Sequence, residues 1–142
     1  MSFLLDANVL IALFDEQHVH HDTVVEWLVA CEDGIATCPI VEGALVRWIT
    51  RILGASGAAA ATAELDKLAA DPRHEFWPDD LPYSAVSWRG VLGHRQVTDG
   101  YLAELARFNR GRLATFDRGL AALHPDIAYL VPTMAGSHEP AT

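Results

Sequence analysis

The chain has 142 residues, 51% of them hydrophobic, which suits one compact domain with a real core and excludes a disordered chain. Its longest strictly apolar run, Val9–Phe14, is too short to span a membrane, and its two cysteines, Cys31 and Cys38, are too few for a disulfide scaffold. A net charge of −9 argues by itself against non-specific binding to nucleic acid.

In chain order, Ser2–Leu5 reads as a short buried strand, and Asp6 can cap a helix over Ala7–Phe14. The next predicted helix is Val19–Cys31, with Val24, Val25, Leu28 and Val29 on its apolar face. "GIAT" (34–37) is a second strand. Pro39 suits the first turn of a helix through Leu53, along which Val41, Leu45, Trp48 and Ile52 recur at helical spacing. "GASGAAAAT" (54–62) supplies a glycine turn and then an alanine-rich helix to about Ala70. Three prolines in 71–84 mark a connection around a short strand, His74–Trp77. Further helices are expected over Ala85–Leu92 and Thr98–Asn109, the second ended by Gly111. "RLATF" (112–116) is a strand, Arg118–Leu123 a short helix and Ile127–Val131 a last strand. One domain is expected over residues 1–133, with 134–142 fraying as a tail. This alternation predicts an α/β fold: a three-layer sandwich with a central, mainly parallel sheet flanked by helices.

No secretory signal is expected, because Asp6 interrupts the apolar start and the first ten residues carry no Lys or Arg. A cytoplasmic protein with reduced thiols follows. The charges are unevenly spread. Residues 1–46 hold eight acids and no Lys or Arg, and all ten basic residues, nine of them Arg, lie between Arg47 and Arg118.

One local pattern occurs twice. "FLLD" (3–6) and "LATFD" (113–117) are apolar strands ending in Asp and followed by a short helix. In open α/β sheets, ligands bind beyond the carboxyl ends of the strands, where Asp6 and Asp117 would sit. Glu42 falls in the first helical turn after Pro39, and Asp99 opens the helix after "GHRQV". Singly, each acid reads as a helix cap or a charge favourable to a helix dipole. Together, four acids at element ends can converge on one pocket. Clustered carboxylates repel one another unless a cation sits among them, and a hard ion such as Mg²⁺ or Mn²⁺ takes such oxygen ligands. This points to metal-dependent phosphodiester chemistry.

Four stretches, "LLDANVLIAL", "TCPIVEGALVR", "GHRQVTDGYLAELA" and "RLATFDRGLAAL", occur in an order and spacing that resemble the PIN-domain ribonucleases. The chain is most similar to the VapC-type toxins of bacterial toxin–antitoxin pairs, over about residues 2–132. The resemblance implies a PIN-like fold and a Mg²⁺- or Mn²⁺-dependent endoribonuclease that leaves 5′-phosphate and 3′-hydroxyl ends. Its acidic quartet is Asp6, Glu42, Asp99 and Asp117, with Asn8 and Thr115 in support and Asp99 as the candidate for orienting the attacking water. It further implies a cognate VapB-type antitoxin whose C-terminal segment covers the acidic site, and a homodimer. The resemblance also implies a Ser or Thr shortly before the Glu; Thr37 is the candidate, but the mostly apolar "CPIV" separates it from Glu42, and its role is left open.

Other features are weaker. "HVHHD" (18–22) has the residue types of a zinc site, but reads as a solvated loop and helix cap between two helices. Arg95 and Arg118 flank two of the acids and are candidates for contact with RNA phosphates. Trp48, Trp88 and Tyr101 can stack on bases, though their helical spacing favours packing; Arg47 and Arg51, beside Trp48, can form an exposed stripe. Two alternatives come from other classes. A haloacid-dehalogenase-like phosphatase also begins with an Asp after a buried strand, but resembles D-x-D-x-T and wants a late Lys. Here Asn8 takes the second acid's place, and the only Lys is Lys67. The other alternative, a non-catalytic RNA- or protein-binding module, is opposed by the complete quartet.

Overall fold

A computed structural model describes residues 1–133, so the expected tail, 134–142, lies outside the described residues. Five strands, β1 (Ser2–Leu5), β2 (Gly34–Thr37), β3 (His74–Phe76), β4 (Arg112–Thr115) and β5 (Ala128–Leu130), pair in parallel in the order β3-β2-β1-β4-β5. Six helices flank them: α1 (Ala7–Phe14), α2 (His21–Ala30), α3 (Pro39–Leu53), α4 (Gly57–Ala69), α5 (Val97–Phe108) and α6 (Arg118–Leu123). This is the expected three-layer α/β architecture. No helix among the described residues is long and apolar enough to cross a membrane.

The central strands are apolar without alternation, as a sheet covered on both faces requires. Leu4, Leu5, Ile35, Ala36, Leu113 and Ala114 are all fully buried. From β1 the chain runs outward through β2 to the edge strand β3, and β4 then returns to the other side of β1. The boundary between β1 and β4 is therefore the point where strand order reverses. Parallel sheets open a crevice beyond the strand ends at such a point. The register Leu5↔Ala114 aligns the two strand ends there, and the Asp6 N–H continues the pairing by donating to the Ala114 carbonyl at 2.9 Å.

Three expectations need correction. Helix α2 starts at His21, not Val19, because turns occupy residues 15–20: the His18 N–H donates to the Asp15 carbonyl and the His20 N–H to the His18 ring. Its packed face is Val24, Trp27 and Leu28, with Val25 half-buried, while Val29 is 80% exposed. Spacings of three and four residues share a helical face, and five residues from Val24 to Val29 do not.

The helix expected over Ala85–Leu92 is absent. A 3-10 turn at Tyr83–Ala85 gives way to extended backbone at Val86 and a turn through Gly90 at φ 78°. The segment straps α5 through its rings: Tyr83 meets Tyr101 edge-on at 4.8 Å, and Trp88 lies over Gly100. Tertiary packing here overrides a weak helical preference.

The third correction is at the end of α5. The left-handed residue is Arg110, at φ 57°, and not Gly111. The Arg110 N–H donates to the Arg107 carbonyl and the Gly111 N–H to the Ala106 carbonyl, the bond pair of a Schellman ending. Gly111 is small for another reason: a Cβ there would stand 2.5 Å from the Ser2 carbonyl oxygen and 2.7 Å from the Trp77 ring.

Candidate active site

Asp6 is 6% exposed, directly after β1. An isolated buried carboxylate would be costly, so its partners matter. Oδ1 accepts from the Ala7 N–H at 2.8 Å, making Asp6 the N-cap of α1, and Oδ2 accepts from the Thr115 hydroxyl at 2.7 Å. Burial still pushes the Asp6 carboxyl above its ordinary range, and the Asp117 charge adds to the push.

Thr115 ends β4 and is fully buried. Its oxygen also accepts the Asp117 backbone N–H at 3.0 Å, which fixes the corner into α6. Asp117 caps that helix, accepting from the Leu120 N–H at 3.0 Å. Asn8 grips the same corner through longer contacts: Nδ2 to the Thr115 hydroxyl at 3.5 Å, and Oδ1 from the Phe116 N–H at 3.4 Å. It supports Asp6 through Thr115 rather than by touching it.

Asp99 lies in the first turn of α5, which packs on β4. Burial, then the charges of Asp6 and Asp117, push its carboxyl up to about 6. The charges of Asp6 and Asp117 thus reach Asp99 at the β1–β4 crevice, and that of Asp117 reaches Asp6. Glu42 is not among the charges acting on Asp99 or Asp6. It stands in the first turn of α3, where Oε2 accepts from the Thr37 hydroxyl at 2.6 Å; the Thr37 hydroxyl oxygen is also 2.8 Å from His74 Nε2. Thr37, whose role the sequence left open, therefore holds an acid, and His74 was overlooked. A signal existed: β2 and β4 both end in "AT", and each terminal Thr bonds one of the four acids.

Arg95 is exposed in the 3-10 turn His94–Gln96 ahead of α5, and Arg118 is exposed as the first residue of α6. Tyr101 is a packing residue, 2% exposed, with its hydroxyl donating to the Leu81 carbonyl; Trp48 donates to Asp15 at 3.2 Å, while Arg47 and Arg51 are exposed beside it. The histidines of 18–21 serve the loop before α2: His21 Nδ1 meets the Ala12 carbonyl at 2.8 Å, and His20 stacks on Phe116 at 4.5 Å. Among the described residues, no three Asp, Glu, His or Cys side chains are drawn together closely enough to chelate one ion.

The PIN domain pattern matches residues 3–124. In sequence, the chain is 54% identical over 133 residues to Ribonuclease VapC29 of Mycobacterium tuberculosis, across 94% of this chain and 98% of that one. In structure, it is similar to the Mycobacterium tuberculosis sarcin–ricin-loop-cleaving toxin VapC20, with TM-score 0.68 and 15% identity over 92% of this chain and 99% of that one. It is also similar to a chain of VapBC2 from Rickettsia felis, solved bound to promoter DNA, with TM-score 0.63 and 16% identity over 92% and 98% of the two chains. The phosphatase alternative falls with these matches. The chain belongs to the PIN-domain family and, within it, to the VapC-type ribonucleases of toxin–antitoxin pairs.

Proposed function

We propose that this chain is a divalent-metal-dependent endoribonuclease, the toxin of a toxin–antitoxin pair, acting through Asp6, Glu42, Asp99 and Asp117. The observation that carries the proposal is the placement of three acids at the switch point of the sheet: Asp6 and Asp117 follow the aligned ends of β1 and β4, tied together through Thr115, and their charges reach Asp99 at the start of α5. Such a cluster is relieved by a cation. The donors are all carboxylate oxygens, which suit Mg²⁺ or Mn²⁺ over a softer metal. Asp6, Asp99 and Asp117, which as they stand are not drawn together closely enough to chelate one ion, would have to turn toward it to hold it, with Glu42 completing the quartet. A divalent ion bound there activates water and neutralises charge developing at phosphorus.

The chain's own groups do the rest. Thr115 and the Ala7 N–H aim Asp6, the Leu120 N–H aims Asp117, and Thr37 aims Glu42. Asp99, in the first turn of α5, is assigned to orient or deprotonate the attacking water. Arg95 and Arg118, exposed beside the acids, are assigned to phosphates of the RNA. The acidic site suits a basic side chain of a VapB-type antitoxin, and a homodimer in the cytoplasm completes the proposal, with one nuclease domain over residues 1–133.

The test is to incubate the purified protein with total RNA, with and without Mg²⁺ or Mn²⁺, and to sequence the new ends. Metal-dependent cleavage leaving 5′-phosphates and 3′-hydroxyls, lost in Asp6→Asn and Asp117→Asn, is expected. Cyclic phosphates, cleavage that survives chelation, or an undiminished effect of Asp6→Asn (as a binding module would give) would overturn the proposal.

A further inference from the structure

The Thr37 hydroxyl lies between two partners, Glu42 Oε2 at 2.6 Å and His74 Nε2 at 2.8 Å. Thr37 is fully buried at the end of β2, so water does not share this arrangement. A hydroxyl has one proton to give, and an ionised carboxylate only accepts. At 2.6 Å from Oε2 the threonine proton therefore points at Glu42. His74 Nε2 must then be the donor to Thr37, which fixes the neutral imidazole as the tautomer with its proton on Nε2.

We propose that His74 is a positioning residue for the acidic site: it donates Nε2–H to Thr37, commits the Thr37 proton to Glu42, and so holds the Glu42 carboxylate in place. The inference rests on the reading of Glu42 as a metal-site carboxylate. Without the imidazole, the Thr37 oxygen loses the donor that holds it from the other side, and the hydroxyl is less firmly directed at Glu42.

The surrounding structure is built to keep His74 there. β2 and β3 pair Ile35↔His74 and Thr37↔Phe76, which puts Thr37 and His74 diagonally on one face of the sheet. β3 is a three-residue edge strand, an element with little of its own to fix its register. The residue before His74 supplies the anchor. Arg73 donates to the carbonyls of Leu28 at 2.7 Å and Cys31 at 2.6 Å, and is paired with Asp71 at 2.9 Å. The arrangement also repeats a device at work at the end of β4, on the far side of β1. Thr115 gives its proton to Asp6 while accepting from the Asp117 N–H. At Thr37 an imidazole takes the place of that backbone donor.

Imidazole ¹⁵N–¹H correlation spectra of the full chain, recorded metal-free at about pH 8 where an ordinary imidazole is neutral, test the tautomer. His74 is expected to carry its proton on Nε2, with that signal shifting in Thr37→Val. A proton on Nδ1, or no response to Thr37→Val, overturns the proposal. Mn²⁺ binding tests the consequence. His74→Ala is expected to weaken it about 10-fold, His74→Gln, which offers an amide N–H at a similar reach, to restore most of it, and Thr37→Val to cost less in the His74→Ala background than it costs alone. Additive losses, or a His74→Gln protein that melts normally yet binds as poorly as His74→Ala, overturn the proposal. Mn²⁺ binding that survives Glu42→Gln overturns the metal role of Glu42 and the positioning role built on it. Loss with Glu42→Gln but not with His74→Ala overturns the positioning role alone.

Discussion

Asp99 ties the chemistry of the site to the stability of the fold. Its carboxyl is raised from 3.8 to about 6, first by burial and then by the charges of Asp6 and Asp117. Between those values the folded protein keeps a proton that the unfolded chain has released, so Asp99 costs stability progressively as pH rises through that window, and fully above it. Asp99→Asn is therefore expected to raise the melting temperature of the metal-free protein at about pH 7.5 and to change it little at about pH 4. Mg²⁺ or Mn²⁺ should shrink that gain; an equal gain at both pH values would contradict the assignment. Thr115→Val removes the donor to Asp6 and the acceptor of the Asp117 N–H, both in buried or half-buried surroundings. It is expected to cost about 2–3 kcal/mol in a denaturant melt and at least about 10-fold in RNA cleavage, with Thr115→Ser keeping most of both. The acids were legible in the sequence because each stands at the end of an element, a place that local pattern reveals. The link from Thr37 to His74 was not, because it spans 37 residues and depends on the register of β3 against β2.

Among the elements, the strands and most helices followed from local signals: apolar runs of four or five residues, Pro39 at a helix start, Asp6 and Asp117 as caps. The failures were places where a distant surface decides. The segment after Tyr83 gave up its helix to lay aromatic rings on α5, and Gly111, expected to end α5 by its backbone freedom, is instead pressed between Ser2 and Trp77. These two glycine-related positions give opposite expectations. Arg110→Gly relieves a left-handed residue bearing a side chain and should raise stability by about 0.5–1 kcal/mol. Gly111→Ala drives a methyl group into the β1 backbone and should lower it by about 1–3 kcal/mol. Urea midpoints at unchanged slope measure both.

At the scale of the whole molecule, the alternation of strands and helices was enough to foresee a parallel sheet, but not the order of its strands, which is set by pairings between distant parts of the chain. That order has a consequence in time. Asp6, Glu42 and Asp99 are all present once the chain has been made as far as Gly111, yet β4, with Thr115 at its end and Asp117 just beyond it, is still missing. Until β4 pairs with β1, Asp6 has no hydroxyl to hold it and the crevice has only one wall. A chain stopped at Gly111 is expected to cleave no RNA in the assay above, whatever the metal supplied. On the proposed function, a growing chain on the ribosome stays harmless to the RNA around it, and the hazard begins only as its last strands lock in.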